Sequence, residues 1–152
     1  MVVGMHGNVA SLRVRIIVVS FLFALFAFNP LAGAQQPWSD PGTWGGSVPV
    51  AGENVVIPVG QHVLLDTNTP DLGGVTVHGT LEFGRQDLQL TADWIVVTGV
   101  LQIGSQVEPF SHQAVITLNA NDPNENIMGM GTRGIMAMGG NLEMHGSPPS
   151  VC

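Results

Sequence analysis

Four side chains, Glu82, Gln102, Asp122 and Glu143, recur at intervals of about 20 residues, and three of them are carboxylates. Glycoside hydrolysis commonly uses two carboxyl groups about 5 to 9.5 Å apart, so separation decides what such a column can do. If successive repeats stack about 4.8 Å apart, Glu82 and Glu143, counted as three repeats apart, sit roughly 14 Å from each other. That exceeds the hydrolytic span. Asp122 and Glu143 would be neighbours, but Asp122 precedes Pro123 in the Asn-rich run 119–126, which reads as a loop. The expectation is a solvated polar column, with no catalytic residue assigned.

The same run offers oxygen ligands suited to calcium, a hard cation that takes six to eight of them. It lacks the spacing of any defined calcium loop, and Asn and Asp are ordinary turn formers, so turn chemistry is the preferred reading and no cofactor is assigned. His62, His78, His112 and His145 show neither His-x-His nor His-Glu-x-x-His spacing and read as surface or capping imidazoles. Asp40, Asp66 and Asp93 join no serine–histidine motif. Met128, Met130, Met136, Met138 and Met144 resemble a copper-binding tract at first sight. Three of them fall on repeat positions assigned below to the interior, so core filling is expected. Trp38 and Trp44 have the broad apolar face and polar edge that stack on sugar rings. They bracket a Pro/Gly turn at the start of the folded region, where covering the first open strands is the preferred role. As binding residues, Trp38, Trp44, His78, Glu82, Asp122 and Glu143 are carried forward as candidates.

These residues must be positioned by whatever follows the leader. Arg13 and Arg15 precede an apolar run over residues 16–28, and Ala32-Gly33-Ala34 supplies a small-x-small cleavage signal before Gln35. Thirteen apolar residues are too few to span a bilayer, which needs roughly 20. Residues 1–34 therefore read as a signal peptide cleaved between Ala34 and Gln35, leaving 118 of the 152 residues for export to the periplasm or the extracellular space. Beyond it, Arg85 and Arg133 stand against eleven acids, a balance of −9. Such acidity disfavours nucleic acid and anionic membrane surfaces. The single cysteine, Cys152, excludes an intramolecular disulfide framework and a cysteine-rich zinc site.

The exported region reads as all-β. Its best helical candidate is one turn over residues 90–94, followed at once by β-branched residues. Glycine and proline supply 26 of its 118 residues, about twice the usual share of roughly 12%. Between them, apolar and polar residues alternate, as short strands separated by turns require. A repeat of the form apolar-x-apolar-x-Gly-x-Leu-x-apolar centres on Gly79, Gly99 and Gly140. The 41 residues from Gly99 to Gly140 read as two periods, with a degenerate copy over residues 114–118 between them.

A 20-residue period suits a β-solenoid, in which no turn buries its apolar face alone. Alternation then points Val75, Val77, Leu81 and Phe83 inward, stacked on Ile95, Val97, Leu101 and Ile103, and these on Met136, Met138, Leu142 and Met144. Thr76, His78, Thr80 and Glu82 point outward. The expected architecture is a right-handed parallel β-helix of about five coils over residues 35–146, with 147–152 as a short tail. A β-sandwich is the alternative.

Ordered motifs also carry a resemblance. Trp38-Ser39-Asp40-Pro41-Gly42-Thr43-Trp44-Gly45-Gly46 leads through Val55-Val56-Ile57-Pro58 into Val63-Leu64-Leu65-Asp66, followed by Gly79-Thr80-Leu81-Glu82-Phe83 and Gly140-Asn141-Leu142-Glu143-Met144-His145-Gly146. Across residues 38 to about 146 the chain resembles the G-eight domain, a module of extracellular and cell-surface proteins that include fibrocystin and hyaluronan-binding or hyaluronan-depolymerising proteins. The resemblance implies an extracellular module tied to glycans and carries no catalytic residue, because the shared motifs are scaffold. A hyaluronan ligand sits poorly with the acidic balance.

The sequence thus describes a secreted, non-catalytic recognition or scaffolding module whose partner is a glycan or extracellular polysaccharide. The alternatives are an amino-terminal piece of a polysaccharide depolymerase and a structural cell-surface element. The tail is too short to form another coil, so self-association through the carboxyl end, assisted by Cys152, is expected.

Overall fold

The computed structural model describes residues 34–119, 121, 124, 126–129 and 131–148. The expected signal peptide up to Gly33, Asp122, Met130 and Cys152 lie outside the described residues.

Among the described residues the alternating stretches fold as ten strands: β1 (Gln35–Pro37), β2 (Val55–Ile57), β3 (His62–Leu65), β4 (Asp71–Val77), β5 (Thr80–Phe83), β6 (Leu88–Val97), β7 (Val100–Ile103), β8 (Ala114–Leu118), β9 (Gly134–Ala137) and β10 (Asn141–Met144). One sheet runs β1-β3-β5-β7-β10; the other runs β2-β4-β6-β8, with β9 also paired to β6. Every ladder is parallel. The inward side chains of both sheets form one core that includes Ile57, Val63, Leu65, Val75, Val77, Leu81, Phe83, Leu90, Ile95, Val97 and Leu101. The protein is all-β in two parallel sheets.

Residues 90–94 belong to β6 and are not helical. Leu90 and Ala92 are buried, and the segment is paired to β4 on one side and β8 on the other. Two ladders outweigh a weak local helical preference.

A corner divides the long strands. In β4 the side chains that join the core are Leu72 and then Val75 and Val77; in β6 they are Leu88, Leu90 and Ala92, then Ile95 and Val97. The inward parity therefore switches at Gly73–Gly74 and, one level on, at Asp93–Trp94. The indole of Trp94 lies over Gly74, where an added Cβ would stand 2.1 Å from Trp94 Cζ2.

The next level is split at this same corner. Strand β8 pairs with Leu88–Ala92, the first half of β6, and β9 pairs with Trp94–Val97, the second half. Residues 119–133 are an insertion between them. The interval from Gly99 to Gly140 is thus one level plus insertions, which corrects the reading of two periods. Met136 and Met138 are corrected with it. Ile135 pairs with Ile95 and Ala137 with Val97, whereas Met136 pairs with Val96, and Met138 is exposed in the turn. The turn from β9 to β10 is one residue longer than that from β6 to β7, and a one-residue slip reverses the face of every side chain. Among the described residues no methionine is a buried core side chain: Met128, Met138 and Met144 are exposed and Met136 is half-buried.

Glycine at the centre of the repeat is required by close approach. A Cβ on Gly79 would lie 2.2 Å from the carbonyl oxygen of Gln61, one on Gly99 2.0 Å from that of Gly79, and one on Gly140 2.6 Å from that of Val97. Each glycine rests on the backbone of the level before it.

The two ends of the core differ. Trp38 is fully buried beside β3, its backbone N–H donating to Leu64 O at 2.8 Å, and it is covered in turn by Trp44 from the 3₁₀ turn Pro41–Trp44. At the other end Leu142 and Met144 continue the inward lines of Leu101 and Ile103 but are 41% and 51% exposed.

Candidate functional site

The outer face of the β1-containing sheet gathers most of the polar candidates. Glu82 pairs in register with Gln102, and Gln102 with Glu143, so these three form one outward line. Glu82 and Glu143 are two ladders apart rather than three, since the insertion adds no level to this sheet. Their backbones are therefore separated by about 9.5 Å. Glu143 is half-buried and Glu82 likewise.

Glu82 is the most connected of the three. Its Oε2 lies 2.8 Å from His62 Nε2 and accepts from Gln35 Nε2 at 2.6 Å. His62 and Gln35 occupy the adjacent line, paired in the order Gln35, His62, Thr80, so the contacts to Glu82 run diagonally across strands. Parallel register brings together three residues that are 27 and 20 positions apart in the chain. The sequence reads His62 as a surface or capping imidazole and does not mark Gln35, because the longer corner between β2 and β3 shortens the step from His62 to Thr80 to 18 residues. His78 is elsewhere, at the turn after β4, with Nδ1 2.6 Å from Thr98 Oγ1 of the equivalent turn one level on.

A second polar group occupies the corner beside the insertion. Asp93 is 6% exposed, and its Oδ1 accepts from Asn121 Nδ2 at 2.8 Å. Asp71 Oδ1 accepts from Asn119 Nδ2 at 2.7 Å. The asparagine side chains thus turn their N–H groups toward the carboxylates, tying the start of the insertion to β4 and β6. Among the described residues, no group of three or more His, Cys, Asp or Glu side chains is close enough to hold a metal ion.

The tryptophan candidates separate by exposure. Trp38 is fully buried and presents no face to a ligand. Trp44 is half-buried, donates from Nε1 to Trp38 O at 2.8 Å, and meets the Trp38 ring edge-on at 4.7 Å between centroids. The turn that carries it is fixed by Asp40, whose Oδ1 accepts from Gly42 N, and by Asp66, which accepts from both the N–H and the hydroxyl of Ser39.

Two parallel sheets stacked in register around one core, with a tryptophan-covered first level, define a repetitive β scaffold class. Within that class the G8 domain family model matches residues 43–152, and the chain belongs to the G8 domain family. It is 42% identical over 118 residues to human (Homo sapiens) Fibrocystin-L and 31% identical over 119 residues to mouse (Mus musculus) Fibrocystin. Each match covers 75% of this chain and 3% of the relative, so the chain spans about 3% of the length of these proteins. No solved structure matches it at a significant level. Among the described residues no helix is long and apolar enough to cross a membrane.

Proposed function

We propose that this chain is an exported β-solenoid module that recognises or scaffolds an extracellular ligand, a glycan being the favoured class, and that it performs no chemistry of its own. The observation that supports this reading is the stack itself. Successive strands from β2 to β8 alternate between two sheets whose ladders are all parallel, so the chain advances in one winding sense. Parallel strand crossovers are almost always right-handed, which favours a right-handed solenoid over a sandwich. Such a scaffold is rigid, and its outer face holds polar side chains such as Gln35, Glu82 and Gln102 at fixed spacing. Export is supported by the coincidence of Gln35, the first strand residue among the described residues, with the expected new amino terminus. Amino-terminal sequencing of the exported protein should begin at Gln35; a start before Arg13 contradicts cleavage. A glycan array probed with the exported chain tests recognition. Saturable binding to one glycan class is expected, and binding to none contradicts it.

A second reading, polysaccharide hydrolysis, draws support from the separation of Glu82 and Glu143, since inverting glycosidases hold their carboxyls about 6.5–9.5 Å apart. Release of reducing ends from a polysaccharide, abolished by Glu82→Gln and by Glu143→Gln, is the result that would favour it.

A further inference from the structure

We propose that the groove beside Trp44 is a saccharide subsite, and that it takes an uncharged sugar rather than a uronate or sulfated one. The groove lies where the loop after the 3₁₀ turn folds over β2, and Trp44, Ser47, Pro49, Glu53, Asn54 and Val56 are among its walls. Its volume is about 330 Å³, at the lower end of the range for small-ligand sites, about 300–1,000 Å³. The depression between Asn68, Asp87 and Gln113 holds only about 170 Å³ and no aromatic wall.

The chemistry of the lining is two-sided. Trp44, Pro49 and Val56 form an apolar surface, and Val56 is 54% exposed although it is a strand residue. Ser47, Glu53 and Asn54 place a hydroxyl, a carboxylate and an amide around it. A pyranose has the complementary form, with an apolar face of C–H groups and a rim of hydroxyls. Aromatic faces backed by a few fixed polar groups are what such a ring needs for orientation.

The groove is also built in advance. Trp44 is locked by its hydrogen bond to Trp38 O and by the edge-on ring contact. Glu53 is held by its Oε2 accepting from Val50 N at 2.9 Å. Preorganised side chains lose little freedom on binding, which is what gives a small site useful affinity. The choice of sugar follows from charge. Among the described residues Glu53 is the only charged one in the lining, and the whole chain carries −7. A carboxylate or sulfate on the ligand would meet repulsion with no cation to offset it.

This inference rests on the recognition reading above, so its test separates the two. The full exported chain is titrated with chitotetraose and cellotetraose as neutral probes and with a hyaluronan tetrasaccharide as the anionic one, following tryptophan fluorescence and heat, alongside the glycan array. Ser47→Trp fills the groove from an exposed position, and Val56→Lys replaces its apolar wall should the first variant fail to fold. Val107→Ala, at an exposed position in the loop after β7 and away from the groove, is the control. Expected are binding of a neutral probe, at least tenfold weakening in the groove variants with an unchanged melting temperature, and no change in Val107→Ala. Equal affinity in folded groove variants, or preference for the anionic probe, overturns the groove while recognition stands. Absence of any sugar binding, on the array as in titration, overturns both.

Discussion

The carbonyl oxygen of Gly79 occupies the space directly beneath Gly99, 2.0 Å from where a Gly99 side chain would begin. Levels of the stack touch through backbone at this turn, and no rotamer change relieves an added methyl. Gly99→Ala should therefore cost at least about 2 kcal/mol, in the upper part of the range of about 1–3 kcal/mol for overpacking. Gly134, with nothing within 4 Å of its added Cβ, is the reference; Gly134→Ala should shift stability by under about 0.5 kcal/mol. Denaturant unfolding of the two variants measures both.

Leu101 and Leu142 occupy the same register position, yet one is fully buried and the other is 41% exposed. Leu101→Ala should cost about 2–5 kcal/mol, the range for a buried leucine. Leu142→Ala should cost clearly less, since much of its surface already meets solvent. Equal losses in a thermal melt would show that the terminal level is covered.

The alternation that places Leu81, Leu101, Val77 and Val97 inward is legible in the sequence, because a strict period of two over strands paired on both sides admits one register. The Glu82–Gln102–Glu143 line is legible for the same reason. What escapes is set at corners. Insertions there cost little closure entropy and leave both flanking ladders intact, so residues 119–133 imitate an extra level in the sequence. The added turn residue at Gly139–Gly140 likewise moves Met136 off the inward line. The Trp44 groove depends on how a loop folds back over β2, which no periodicity records.

Asn121 ties the insertion to the buried carboxylate of Asp93. Asn121→Ala removes that side-chain donor and leaves Asp93 Oδ1 only the longer bond from the residue 121 backbone N–H, so it should cost about 1 kcal/mol, the typical net worth of one hydrogen bond. Hydrogen exchange should then quicken locally, in β8 and the residues that follow it, ahead of the core strands. Unchanged stability and exchange would mean that the insertion is held by other contacts.

The half-buried pair Glu82 and His62 adds little to stability. Their side chains are each about a quarter exposed, and a pair of that kind is worth no more than about 1 kcal/mol. Glu82→Ala should leave the melting temperature nearly unchanged, which a thermal scan reads directly.

The stacking order itself is tested most directly by inter-strand nuclear Overhauser effects in isotopically labelled protein. With residues 119–133 inserted within one level, backbone contacts should link residues 141–144 to 100–103, Leu142 beside Leu101 and Glu143 beside Gln102. None should link residues 141–144 to 114–118. Contacts between these last two segments, with none to 100–103, would put a further level between Gln102 and Glu143 and contradict the arrangement of the outer face.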